Sequence, residues 1–111
     1  MPDAAWKVAE RTVARRLGGK RAGPTGKEGP DVLHALWAIE IKERRRPLPA
    51  EIREALAQAA RAARPDQLPI VVWHVLGRRH DDDVVMMRLA DFEDWAGQLR
   101  VEEDRDENHH R

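Results

Sequence analysis

The sequence contains no cysteine, no serine and no tyrosine, which leaves Thr12 and Thr25 as its only side-chain hydroxyls. Disulfides and thiolate zinc sites are therefore excluded. So is covalent catalysis through the usual Ser, Cys or Tyr nucleophile. No apolar run is long enough to span a bilayer, and the N-terminal residues lack the apolar core of a signal peptide. The expectation is a soluble, cytoplasmic protein, in the host cytoplasm if phage-encoded. With 111 residues, the chain has room for one small domain that oligomerisation would help to stabilise.

An excess of charge is also missing, since 20 Lys and Arg balance 20 Asp and Glu. That balance conceals a division. Residues 1–64 carry 14 basic against 8 acidic residues, net +6, and residues 65–111 carry 6 against 12, net −6. The basic half can still present an electrostatic footprint to phosphates.

What the chain does have is Gly29-Pro30-Asp31, then eight intervening residues, then Glu40-Ile41-Lys42. The intervening segment Val32 to Ile39 is strand-forming, with room only for a tight turn. Alternate side chains of a strand share a face, so Trp37, Ile39 and Ile41 point one way and Ala38, Glu40 and Lys42 the other. An Asp on one strand, a Glu on the next and a Lys two residues on can hold a hard divalent cation and place a water beside it. Carboxylate oxygens suit Mg²⁺, which keeps several waters and takes further ligands from phosphate. The plainer alternative is a surface ion pair on a half-exposed hairpin.

Pro30-Asp31 with Glu40-Ile41-Lys42 resembles the PD-(D/E)XK nuclease superfamily. The resemblance implies an α/β domain with a mixed central β-sheet flanked by helices, and phosphodiester hydrolysis dependent on Mg²⁺, with Mn²⁺ able to substitute. It implies metal binding by Asp31 and Glu40, and a Lys42 that positions or activates the attacking water. Asp31 and Glu40 are closer in sequence than in most members, which allows only a very short hairpin turn.

The segment from Asp3, as N-cap, to Leu17, before Gly18-Gly19, reads as a helix with Trp6, Ala9, Val13 and Leu17 on its apolar face. Glu10 falls inside that stripe, where a carboxylate is costly unless a charge or metal compensates it. A helix-borne Glu ahead of the Pro-Asp is what the archaeal-type Holliday junction resolvases of this superfamily contribute to their metal site. The other partners open to Glu10 are solvent and Lys7, one turn back.

Lys20, Arg21 and Lys27 precede Asp31, and Arg44, Arg45 and Arg46 follow Lys42. These clusters bracket the motif as expected for residues that grip a nucleic-acid backbone on either side of a scissile phosphate, although a solvated face is an equally ordinary role for an Arg triplet. The Gly-rich stretch from Gly23 to Gly29 lacks the Walker pattern, so no nucleotide cofactor is expected. The resolvases carry a hydroxyl-bearing loop here; their Ser is absent, and Thr25 is the residue that can match it as a phosphate contact.

After Pro47-Leu48-Pro49, residues 50–64 read as an amphipathic helix with Ile52, Leu56, Ala59 and Ala63 on one face. Gln58 lies near that stripe and resembles a supporting glutamine of some branches of the superfamily. Ile70 to Leu76 reads as a central strand, Val84 to Leu89 as its return, and Asp91 as the cap of a last helix that buries Phe92 and Trp95 and runs to Leu99. His80-Asp81-Asp82-Asp83 reads as a solvated hairpin tip, His74 as a hydrogen-bonded structural residue, and His109-His110 as a terminal pair with no partner spacing.

The expected organisation is a nuclease domain over residues 1–99 and an acidic tail over 100–111. The expected function is a structure-selective endonuclease that resolves four-way DNA junctions by paired nicks, acting as a homodimer without membrane association. The alternatives are another small nuclease of the superfamily, phage or restriction-type, and a DNA-binding module that keeps the fold without turnover.

Overall fold

In the computed structural model, residues 4–22 and 29–97 are described. The chain divides into two compact units, Met1–Pro47 and Leu48–Arg111, so the break falls at the Pro47-Leu48-Pro49 segment within the 1–99 stretch expected as one domain. The charge division follows this boundary closely: residues 1–47 carry net +5 and residues 48–111 net −5. The tail 100–111, together with Thr25 and Lys27, lies outside the described residues.

The first unit is built on helix α1, Ala5–Leu17. Its cap position is Ala4 rather than Asp3, with no side-chain cap. The C-terminus closes as a Schellman motif: Gly18 takes φ 73°, its N–H donates to the Arg15 carbonyl, and the Gly19 N–H donates to the Ala14 carbonyl at 2.8 Å. A β-carbon on Gly19 would lie 2.7 Å from both the Leu33 carbonyl oxygen and Val32 Cγ1, so the bare backbone here is what lets the chain pass against the next strand. Strand β1, Lys20–Arg21, pairs antiparallel with β2, Val32–Leu33, in the register Lys20↔Leu33 and Arg21↔Val32. Val32 also bridges antiparallel to Ile39, which returns the chain along the other edge of β2.

The buried residues of this unit are Ala14, Leu17 and Val32. Trp6, placed on the apolar stripe by its spacing, is 50% exposed, and the covered face of α1 runs through Glu10, Ala14 and Leu17.

The second unit opens with helix α2, Ala50–Ala62. It stops two residues short of the expected end: Arg64, which immediately precedes Pro65, is disfavoured in the helical region, and Ala63 before it is already extended. Leu56 is its buried residue. Strand β3, Val71–Trp73, pairs antiparallel with β4, Val84–Met86, in the register Val71↔Met86, Val72↔Val85 and Trp73↔Val84. Residues 89–97 form a third helix, α3. Its first turn closes with the Phe92 N–H donating to the Arg88 carbonyl, so Asp91 sits inside the first turn and does not cap it. Ala96 is buried and Trp95 is 41% exposed, which reverses the expectation of a buried Trp95.

The class is α/β, with three helices among the described residues, but the described strands do not join into the single mixed sheet expected from the sequence. The described strands make two separate two-stranded antiparallel sheets. The Ile70 to Leu76 segment is apolar without being central: Val72 is 54% exposed and Leu76 95% exposed. Among the described residues β4 is the one strand that pairs with β3, so the other edge of β3 has no strand partner there. No helix among the described residues is long and apolar enough to cross a membrane.

Candidate functional site

The first unit holds every residue of the motif. Asp31 precedes β2, and its backbone N–H donates to the Ile39 carbonyl at 2.8 Å. Its side chain reaches further along the same returning segment, where Oδ2 accepts the Ile41 N–H at 2.7 Å. Asp31 thus clasps the residues on both sides of Glu40. A carboxylate accepting a backbone amide is a charge-assisted bond, and here it closes the short hairpin between residues 31 and 41.

Beyond this clasp the alternation expected from the sequence is present. Trp37, Ile39 and Ile41 are half-buried, while Ala38, Glu40 and Lys42 are exposed. Lys42 Nζ lies 3.4 Å from Glu40 Oε1, with both side chains more than half exposed. The hairpin tip is held by His34, whose Nδ1 accepts the Leu36 N–H at 3.0 Å and whose ring stacks on Trp37 at 4.3 Å. An open cleft of about 490 Å³ lies along this tip, lined by residues including Pro30, Leu33, His34 and Trp37.

Glu10 is largely covered, as its place in the stripe implies, but its partner is neither solvent nor Lys7. Arg21 Nε donates to Glu10 Oε2 at 2.6 Å, with the two side chains 22% and 13% exposed. The Arg21 guanidinium also lies 5.7 Å from the centre of the Trp6 ring, and Lys7 Nζ lies 5.4 Å from that same ring. Sequence reading missed Arg21 because the partner comes from β1, eleven residues away, and not from the helix itself.

The pair is wired into the hairpin. Arg21 is the register partner of Val32, and the Ala22 N–H donates to the Asp31 carbonyl at 3.0 Å. Arg21, expected on the phosphate-binding face, is therefore turned onto Glu10, while its neighbour Lys20 is exposed. Arg44, Arg45 and Arg46 are all exposed, one residue beyond Lys42. Gln58 is exposed on α2 of the second unit.

Carboxylates are the right donors for a hard cation, but Glu10, Asp31 and Glu40 are not gathered around one point. Among the described residues, the group of three metal-ligating side chains whose donor atoms lie within 4.8 Å of one another is His74, His80 and Asp83, in the second unit. No protein-family profile, curated protein or solved structure matches this chain.

Proposed function

We propose that the chain is a Mg²⁺-dependent DNA endonuclease of PD-(D/E)XK type, similar to the archaeal-type Holliday junction resolvases. The observation that carries this reading is the Asp31 clasp, which holds an Asp beside the exposed Glu40 and Lys42 on one short hairpin. Asp31 and Glu40 would hold the ion, and Glu10 would join them by exchanging Arg21 for the metal. When bound, the ion supplies an activated water and polarises the phosphodiester. Lys42 would orient that water from its position next to Glu40, and Lys20 with Arg44, Arg45 and Arg46 would bind the flanking phosphates.

A homodimer would supply the two symmetry-related nicks that a four-way junction requires. The exposed apolar side chains of the second unit, among them Val72, Leu76, Val84 and Val85, support self-association.

One observation favours a second reading. The closed Glu10–Arg21 pair suits a DNA-binding module without turnover, because it satisfies the covered carboxylate in the absence of any metal.

The deciding experiment compares a labelled four-way junction with a matched linear duplex, in Mg²⁺ and in EDTA, for the wild type, Glu40→Gln and Asp31→Asn. The expected outcome is junction cleavage only in Mg²⁺, abolished in both variants with the fold and DNA binding retained. Wild-type cleavage rates in purified Glu40→Gln refute the site. Binding without cleavage under all metal conditions establishes the module, and equal cleavage of duplex and junction establishes a nuclease that does not resolve junctions.

A further inference from the structure

The loop between β3 and β4 carries a constellation that the nuclease reading does not use. In the register of this hairpin Trp73 faces Val84, so the next position outward sets His74 opposite Asp83. A single 3-10 turn, His80–Asp82, then brings His80 back one turn before Asp83, and the Asp83 N–H donates to the His80 carbonyl at 3.0 Å. Two independent backbone constraints, one across the hairpin and one along the turn, therefore aim two imidazoles at the same carboxylate.

The side chains meet accordingly. His74 Nδ1 lies 2.6 Å from Asp83 Oδ1, and His80 Nδ1 lies 3.0 Å from Asp83 Oδ2. The two rings stack with centroids 4.2 Å apart and an interplanar angle of 26°. Each of the three residues offers a donor atom within 4.8 Å of the other two. The Asp83 side chain is 14% exposed, His74 32% and His80 82%, so the anion is sheltered while one face of the group stays open to solvent.

We propose that His74, His80 and Asp83 form a binding site for a divalent transition-metal cation of the Zn²⁺ type. Two imidazoles and one carboxylate are three of the four ligands of an open tetrahedral zinc site, and water takes the fourth position. Imidazole donors favour Zn²⁺, Ni²⁺ or Cu²⁺ and disfavour Mg²⁺, so this site differs in chemistry from the carboxylate set of the first unit.

With metal–ligand bonds of about 2.0–2.2 Å, tetrahedral ligand atoms stand roughly 3.3–3.6 Å apart. Both Nδ1 to carboxylate distances must open for the ion to enter: the 82% exposed His80 ring can lengthen its own 3.0 Å contact to Oδ2, and the 2.6 Å contact of His74 with Oδ1 opens by rotation of the His74 or Asp83 side chain. In the metal-free protein, a neutral ring bonded to the carboxylate through Nδ1 carries its proton there. On binding, the ion takes Nδ1 and the remaining proton resides on Nε2.

The test uses the full-length protein in a His109→Gln/His110→Gln background, which removes the terminal histidine pair as a competing ligand. Zn²⁺ binding is followed by calorimetry, and Co²⁺ is added as a visible-absorption reporter of coordination geometry. One Zn²⁺ per chain is expected, undisturbed by millimolar Mg²⁺, with a tetrahedral Co²⁺ spectrum. His80→Ala and Asp83→Asn should each weaken Zn²⁺ binding by about tenfold or more, as loss of one of three protein ligands implies. His80 is exposed, so its removal leaves the fold intact, and circular dichroism checks this. Zn²⁺ affinity unchanged in His80→Ala, or binding that disappears with His109 and His110 alone, overturns the proposal. Neither result bears on cleavage at Asp31 and Glu40.

Discussion

Replacing Glu10 by Gln in the metal-free protein tests whether that carboxylate is held by Arg21. The pair is short, at 2.6 Å, and both side chains are mostly covered, at 13% and 22% exposed. Fully exposed pairs contribute about 0.2–1 kcal/mol, and breaking a fully buried one costs about 3–5 kcal/mol. This geometry lies between those limits, so Glu10→Ala should cost about 2 kcal/mol. Glu10→Gln keeps the shape and an acceptor oxygen, and exchanges an ion pair for a hydrogen bond from the charged Arg21 to a neutral amide oxygen, at a cost of about 1–1.5 kcal/mol. With urea slopes of about 1–3 kcal/mol/M, the midpoint should fall by roughly 0.3–1.5 M. Arg21→Gln should cost more, because it also removes the contact with the Trp6 ring. A double-mutant cycle separates the two effects, with an expected coupling of about 1–2 kcal/mol between residues 10 and 21. Exchange of the Ala22 amide, bonded to the Asp31 carbonyl, reports locally on the same unit. A Glu10→Gln protein more stable than wild type without metal, or a coupling below about 0.3 kcal/mol, would refute the pairing and return Glu10 to the metal alone.

Two further outcomes follow from local geometry. Gly19→Ala should destabilise by about 1–3 kcal/mol through overpacking, since its β-carbon would meet the Leu33 carbonyl and Val32 Cγ1 at 2.7 Å; Gly29→Ala, with nothing within 4 Å of the added carbon, is the control, and equal urea midpoints for the two would contradict the close approach. Hydrogen bonds from His80 and then His74 hold the Asp83 carboxyl below its ordinary value of 3.8. A depressed carboxyl contributes stability above the unfolded value that is lost as pH falls through the folded one. Thermal melts between pH 5 and pH 2 should accordingly show a steeper decline below pH 3.8 in the wild type than in Asp83→Asn, and parallel declines would remove the stabilising role of the two bonds.

The local pattern of the motif was legible because it depends on periods of two and on turn chemistry. The alternation from Trp37 to Lys42, the end of α1 at Gly18 and the covered position of Glu10 all follow from neighbouring residues. The role of Ile70 to Leu76 was not legible. A continuous apolar run suits a strand covered on both faces, but the run itself does not say how many strands will pair with it, and among the described residues β4 alone does. Likewise the His80-Asp81-Asp82-Asp83 tip reads as solvated by composition, while the hairpin register adds His74 to it from the other strand.

The sequence by itself determined the exclusions, the α/β class, the boundaries of the helices to within a few residues and the residues able to carry acid, base or metal chemistry. These depend on composition and on spacing within one element. Which charged groups meet was decided only by the tertiary structure. Arg21 reaches Glu10 because β1 returns beside α1, Asp31 brackets Glu40 because the hairpin closes between residues 31 and 41, and His74 shares the Asp83 carboxylate with His80 because β3 and β4 pair in one register. Each of these contacts joins residues eight or more positions apart except His80 to Asp83, which a single 3-10 turn supplies. The spacing of residues within one element is silent about such partners, since they are fixed by how separate elements come together.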